Sequence, residues 1–368
     1  MGDRGTVLAI EVATTSVDYA WEPSGDVAGA RKITLFPGQS FDSIPPLRRF
    51  WAMLRATRGC DLVCMGLSYG LVDSILLSWA LRLQGRKIVV FSETKFDDTQ
   101  RSLWMEFFKG ILLSCYTAAV VGGGRHIAYF RFLRFRKRPV LPGYDTVGLG
   151  RIRSQAGNSG APDGVPYADR PFLFVGRFVD KKNLFGLLEG YARYVAQAGS
   201  SPRRMVLVGS GADEPRLRAL AAERGVAGLV DFPGFLGAEA VSRKLAGALA
   251  LVLVSREEQW GLVVNEALAL GLPAIVSNEV GSRDLLVRNL VNGFVVESNC
   301  PDGLAQAMLQ LTGNETAWRN MVHASHERAW MGDTDRLADA IEVLLFPASN
   351  DATRRVDRLL AELETEPK

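Results

Sequence analysis

Short apolar runs alternate along this chain with longer stretches whose apolar positions recur at helical spacing. That alternation is the pattern of α/β domains built on parallel sheets. In the first half, Thr6–Ile10, Lys32–Leu35, Asp61–Met65, Lys87–Phe91 and Thr117–Val121 are predicted strands, with predicted helices at Asp73–Leu83 and Gln100–Leu113. The segment Gly148–Pro171 is rich in glycine, serine and proline, lacks apolar periodicity, and reads as an interdomain linker. The alternation then restarts. FLFVG (172–176), MVLVG (205–209), LVDF (229–232), ALALVLV (248–254) and AIVS (274–277) predict strands. Leu184–Val195, Glu214–Arg224, Ala238–Leu245, Leu262–Leu270 and Pro301–Leu311 predict helices, and Asn292-Gly293 a turn. The organisation expected is a first domain at 1–148, a linker at 149–171, a second domain at 172–346, and a charged, loosely docked helical tail at 347–368. Two such doubly wound domains leave a cleft between the carboxyl ends of their sheets, the expected place for a ligand.

Composition narrows the class. The chain has 368 residues, 48% hydrophobic and 23% charged, which suits two ordered domains and excludes overall disorder. A net charge of +3 is too small to imply a nucleic-acid partner. Cys60, Cys64, Cys115 and Cys300 sit in apolar or isolated settings, which fits core packing in a reducing cytoplasm. The N-terminus runs straight into a strand without a signal-like pattern. The longest apolar stretch, Gly110–Val121, is too short and interrupted to cross a bilayer, so a soluble or peripheral protein is expected.

The most informative chemistry lies in Ser255–Pro273, SREEQWGLVVNEALALGLP. A buried strand feeds a loop carrying Glu258, a helix opens at Gly261-Leu262, and Glu266 follows about one turn in. Helix-start amides suit a diphosphate, and carboxylates accept hydrogen bonds from the hydroxyls of a sugar. Arg177 and Lys182, after the strand 172–175, can neutralise a diphosphate and stabilise it as a leaving group. An isolated strand-end cation is usually just solvated; pairing with the two glutamates favours a site. Gly209 and Gly211 flank a turn that lets a ligand approach backbone, although such turns are common. The backbone of Phe232-Pro233-Gly234-Phe235 suits the edge of a base, and an ordinary turn serves equally well.

Together these residues resemble the nucleotide-sugar half of retaining glycosyltransferases of family 4, which have the GT-B fold. The matching pieces are GR-x4-K (Gly176, Arg177, Lys182), G-x-G (Gly209, Gly211), F-x-G (Phe232, Gly234) and E-x7-E (Glu258, Glu266) with its EALALGLPAIVS continuation, over about Phe172 to Leu311. The resemblance implies an α/β, GT-B architecture of two doubly wound Rossmann-like domains facing a central cleft, the acceptor domain first. It implies that Arg177 and Lys182 hold the diphosphate, Glu258 contacts the donor sugar and Glu266 the ribose. The amides near Gly261, Leu262 and Val263 would receive the phosphates. Neither a metal nor a cofactor is implied beyond a UDP- or GDP-sugar donor. Asn183 stands where glycine is commonest, and Gln259-Trp260 replaces the frequent Gly-Phe, which leaves donor identity open.

The first domain resembles the acceptor half of some bacterial surface-polysaccharide members more loosely, through SETKFDD, GGGRHIAYFRFL and GYD (143–145). Glu93, Lys95, Asp97 and His126 are the acceptor-side candidates, with a solvated loop the equal alternative. Gly122–Gly124 suit a phosphate or acceptor contact or a plain tight turn. His323 and His326, three apart, read as surface helix residues, and Asp333-Thr334-Asp335 as a helix cap rather than a metal motif. The run RFLRFRKR (131–138) suits single-stranded nucleic acid or an anionic membrane, and an apolar side that is simply core fits as well. With a lipid-linked acceptor, membrane docking is the better functional reading. The expectation is a metal-independent, retaining glycosyltransferase acting on a lipid-linked or growing glycan acceptor. It would be cytoplasmic, peripheral on the inner face of the plasma membrane. A sugar-nucleotide epimerase or phosphorylase, or a non-catalytic nucleotide-sugar-binding protein, is the alternative.

Overall fold

A computed structural model describes residues 5–15, 29–157 and 159–364. The first domain opens with a parallel pair, β1 (Val7–Thr15) and β2 (Ala30–Ser40), followed by α1 (Pro46–Ala56). A parallel sheet follows in the order β3 (Leu62–Met65), β4 (Lys87–Ser92), β5 (Ala118–Val121), β6 (Val140–Pro142). Its helices are α2 (Val72–Leu83), α3 (Leu103–Leu112) and α4 (Gly124–Phe132). Strands β4 and β5 are apolar and almost wholly buried, as expected when helices cover both faces of a parallel sheet.

The segment expected to be a structureless linker contains α5 (Leu149–Gln155), whose Leu149 and Ile152 are buried in the second domain's core. Ala161 and the fully buried Arg170 anchor the rest, the guanidinium donating to the carbonyls of Ala246 and Ala248, each at 2.9 Å. The segment is short of apolar residues because it supplies one face of one helix, too little for a visible period.

The second domain carries β7 (Phe172–Val175), α6 (Leu184–Gln197), β8 (Met205–Val208), α7 (Glu214–Glu223), β9 (Val230–Gly234) and α8 (Ala238–Ala246). It continues through β10 (Ala250–Leu253), α9 (Leu262–Ala269), β11 (Ala274–Ser277), α10 (Arg283–Leu286), β12 (Gly293–Val296), α11 (Pro301–Gly313) and α12 (Glu315–Arg328). The six parallel strands lie in the order β12-β11-β10-β7-β8-β9. The chain therefore builds outward from β7 to one side, then returns to β7's other side with β10. That reversal opens a crevice at the carboxyl ends of β7 and β10.

The last two helices, α13 (Asp335–Leu345) and α14 (Asn350–Glu364), return to the first domain. Leu337, Ile341 and Leu344 of α13 pack on Val89, Ala118 and Val120, and Leu360 of α14 packs against the first core. The boundary drawn at 346 thus cuts through this strap, and the tail is docked along an apolar stripe that includes the buried Val356 and Leu359.

Candidate functional site

The crevice at β7 and β10 brings together residues far apart in sequence. After β7 the chain turns through Gly176–Lys182, and after β10 through Ser255–Gly261. The backbone ties these loops together, Arg256 N–H donating to the Lys181 carbonyl at 2.8 Å. Lys182 Nζ donates to Glu258 Oε2, both side chains largely shielded, and Ser255 Oγ donates to the same oxygen at 3.0 Å. Ser277 Oγ fixes Ser255 in turn through its carbonyl at 2.6 Å. The carboxylate thus has a preset orientation and a cation beside it.

Local conformation explains the residue types around this pair. Asn183 follows Lys182 with φ +55°, the left-handed region where glycine is cheapest and asparagine next best. Its buried amide donates to the carbonyls of Val254 at 3.0 Å and Ser298 at 2.7 Å, so asparagine adds bonds that glycine could not make. Gly209 and Gly211 serve a tight approach of loops: a Cβ at Gly209 would lie 1.8 Å from the Gly176 carbonyl oxygen, and one at Gly211 2.2 Å from that of Phe178. Gly234 closes the neighbouring turn, its carbonyl accepting from Gly209 N–H at 2.9 Å, and Phe232 packs on the Phe178 ring.

Helix α9 starts beside Glu258. Gly261 precedes it at φ +92°, and a Cβ there would meet Leu253 at 2.9 Å. The helical bonds begin with Val264 N–H to the Gly261 carbonyl at 2.9 Å, which leaves the amides of Leu262 and Val263 at the open end. Glu266, one turn in, is half-buried, and burial pushes its carboxyl up while Arg151 of α5 opposes the shift.

Across the cleft stands the first domain. Of the four acceptor-side candidates, Glu93 and Asp97 are exposed, and Glu93 lies near Glu258 and Lys181 of the second domain. Its surroundings strip enough water to raise its carboxyl above the usual range, Glu258 and Asp98 add like charge, and Lys181 opposes them. Lys95 is fully buried, its ammonium paired with Asp98 at 2.9 Å and Asp97 at 3.3 Å. Asp97 accepts from Arg125 at 2.6 Å, and that ion pair helps hold its carboxyl low against burial.

His126 corrects the expectation most. It is fully buried between the domains, Nδ1 accepting from Gly123 N–H at 3.1 Å and Nε2 lying 3.0 Å from the Gln259 carbonyl. Burial lowers its pKa, so the ring is neutral and donates through Nε2. Both nitrogens are occupied, Nδ1 at the start of its own helix and Nε2 in a bond to the second domain. Trp260 is likewise buried at this junction, packed edge-on against His126 at 5.6 Å, its indole N–H donating to Asn265 Oδ1 at 3.0 Å. A Cβ at Gly122 would lie 2.6 Å from that indole, so Gly122 is the recess for Trp260.

Two further groups lie in motifs quoted from the sequence, but neither was given a role of its own. Asp145, the acid of GYD, projects from the end of β6 with φ +52°, and its Oδ2 is buried without a hydrogen-bond partner. Burial, with Glu93 adding like charge, pushes its carboxyl up to about 8. A carboxylate two residues after a strand-end glycine was the available signal. Arg125 spans the domains, donating to Asp284 at 2.9 Å and to the carbonyls of Asn278 at 3.2 Å and Val280 at 2.6 Å. His323 and His326 serve separate partners, Glu327 at 3.3 Å and the Ala161 carbonyl at 2.9 Å. Asp333 Oδ1 accepts from Asp335 N–H at 3.3 Å where α13 begins, the helix-start role expected of it.

Residues 163–328 match the family model for glycosyl transferases group 1. Among sequence relatives, the chain is 31% identical over 227 residues to D-inositol 3-phosphate glycosyltransferase of Streptomyces griseus, covering 60% of this chain and 48% of the relative. It is 29% identical over 161 residues to the lipopolysaccharide core biosynthesis glycosyltransferase LpsE of Rhizobium meliloti, covering 44% and 45%. The matched region thus spans about half the length of these relatives. Among solved structures, HepE of Anabaena in complex with UDP superposes with TM-score 0.71 at 15% identity, over 93% of this chain and 99% of that one. Sucrose-phosphate synthase from Thermosynechococcus elongatus gives TM-score 0.68 at 20% identity, over 93% and 90%. These likenesses show the fold: GT-B, two Rossmann-like domains facing a cleft.

Proposed function

We propose that this protein is a metal-independent, retaining glycosyltransferase of family 4. It moves a sugar from a UDP- or GDP-activated donor to a lipid-linked or growing glycan acceptor in cell-surface polysaccharide synthesis, working in the cytoplasm at a membrane. The observation that carries the reading is the Lys182–Glu258 pair beside the open start of α9, at the point where the strand order reverses. The group 1 match over 163–328 covers the same residues, and the inositol phosphate and lipopolysaccharide core relatives act on polyol or glycan acceptors by their names.

In this mechanism Arg177 and Lys182 neutralise the diphosphate, and the amides of Leu262 and Val263 receive its oxygens. Glu258 accepts hydrogen bonds from the donor sugar and Glu266 from the ribose. The bond from anomeric carbon to diphosphate breaks as the acceptor oxygen bonds to the same face, and the departing phosphate oxygen takes the acceptor's proton. The protein's contribution is positional and electrostatic. Until the donor arrives, Lys182 and Glu258 compensate each other. Arg177 is solvent-exposed and makes no ion pair among the described residues, so it is free to meet a phosphate. The test is nucleotide release from UDP- and GDP-sugars with and without a lipid-linked glycan acceptor, before and after EDTA. Acceptor-dependent release indifferent to EDTA is expected. Interconversion of donor sugars without acceptor would instead indicate an epimerase.

A further inference from the structure

Helix α3 is inside out. Its two buried residues are Glu106 and Gly110, whereas Leu103, Trp104, Met105 and Phe108 are 70%, 76%, 71% and 65% exposed. Phe107 and Ile111 are exposed as well. Single exposed apolar residues need no explanation, but six large ones on a ten-residue helix form a patch that soluble surfaces avoid. The orientation is locked from within. Glu106 accepts from the Tyr129 hydroxyl at 2.5 Å and pairs with Arg101 at 3.4 Å and Lys109 at 3.7 Å. Gly110 fits against the Leu133 carbonyl, 3.4 Å from where a Cβ would be. Rotating the apolar face inward would break this network.

The cationic run adjoins this face. Arg131, Arg134, Arg136 and Lys137 are exposed, and the Arg134 guanidinium lies over the Phe107 ring at 4.3 Å, which joins the two surfaces. Among the described residues, Arg131, Arg136 and Lys137 make no ion pair, and the sequence from 130 to 138 holds no acid. Of the aromatics in and beside the run, Phe130 and Phe135 are core and Phe132 is exposed. Trp79 of α2 extends the patch: with Met105, Phe108 and Ile111 it lines an open groove of about 600 Å³.

We propose that α3, with the cations of 131–138, is a docking surface for an anionic phospholipid bilayer. The α3 side chains enter the boundary between headgroups and acyl chains, tryptophan and phenylalanine being suited to that depth, while the cations meet lipid phosphates. No helix among the described residues is long and apolar enough to cross a membrane, so the contact is with the surface. A second copy of the chain is the poorer occupant, because a symmetric contact would set like charges face to face.

The test is cosedimentation with vesicles of equimolar phosphatidylglycerol and phosphatidylcholine, against phosphatidylcholine alone, at low and high salt. The wild type is expected to pellet with the anionic vesicles and to release at high salt. Trp104→Glu/Phe108→Glu should bind at least ~10-fold less while keeping its melting temperature. Arg131→Glu/Lys137→Glu should lose on the order of tenfold, selectively on anionic vesicles. Absence of wild-type binding, or binding untouched by both double variants, overturns the proposal. So does a wild-type dimer in light scattering that Trp104→Glu/Phe108→Glu dissolves. No donor or acceptor is present in this assay, so its outcome is independent of what the cleft catalyses.

Discussion

Lys182 and Glu258 lie 76 positions apart and form one unit, because each lies in a loop at the same crevice. In the proposed mechanism, losing either removes a charge aimed at the diphosphate or the sugar. Lys182→Ala and Glu258→Ala are each expected to lower turnover at least ~100-fold in a nucleotide-release assay; near-normal rates in both would remove the site assignment. These residues were legible in the sequence because charged and glycine residues after apolar runs mark strand ends. Asp145 and His126 were not, because their roles depend on what the opposite domain covers. Asp145 supplies a pH test. Its folded pKa of about 8 lies above the ordinary 3.8, so between those values the folded protein keeps a proton that the unfolded chain releases. Its effect on stability therefore turns unfavourable as pH rises through that window. Asp145→Asn should raise the melting temperature more at about pH 8 than at about pH 4, and a gap independent of pH would contradict the burial.

Among the elements, strands β3 to β5 and β7 to β11 were legible as continuous apolar runs. Two edge strands, β6 and β12, were not. β6 is three residues ending in proline, tolerable at an edge where one side of the ladder is unpaired. β12 begins at Gly293, read as a turn from Asn-Gly; the glycine is needed because a Cβ there would lie 2.0 Å from the Ala274 carbonyl oxygen. Helix α1 escaped notice, and α13 was read only as the helix that follows the Asp333-Thr334-Asp335 cap, without the domain it covers. The loops after β7 and β8 are one element in practice, packed through Gly209. Gly209→Ala should destabilise the fold by about 1–3 kcal/mol in denaturant titration. It should also weaken donor binding, because the displaced loop carries Arg177 and Lys182. Unchanged donor affinity would show that the two loops are independent.

At the scale of the molecule, the cleft is set by a few contacts between domains rather than by a linker. Arg125 reaches Asp284 and two carbonyls of the second domain, His126 reaches Gln259, and Trp260 fills the recess at Gly122. Arg125→Ala leaves the buried Asp284 with Arg283 alone, at 3.6 Å, a loss of about 1–3 kcal/mol, and should enlarge the radius of gyration in small-angle scattering. An unchanged radius would mean that the α13–α14 strap alone fixes the domains. The claim on which the functional reading rests is that the crevice beside α9 takes a nucleoside diphosphate. Calorimetric titration of wild type and Lys182→Ala with UDP and with GDP, with and without EDTA, tests it most directly. Wild-type binding of at least one of them is expected, indifferent to EDTA and weakened at least ~10-fold in the variant. Silence toward both nucleotides, or equal affinity in the two proteins, would contradict it.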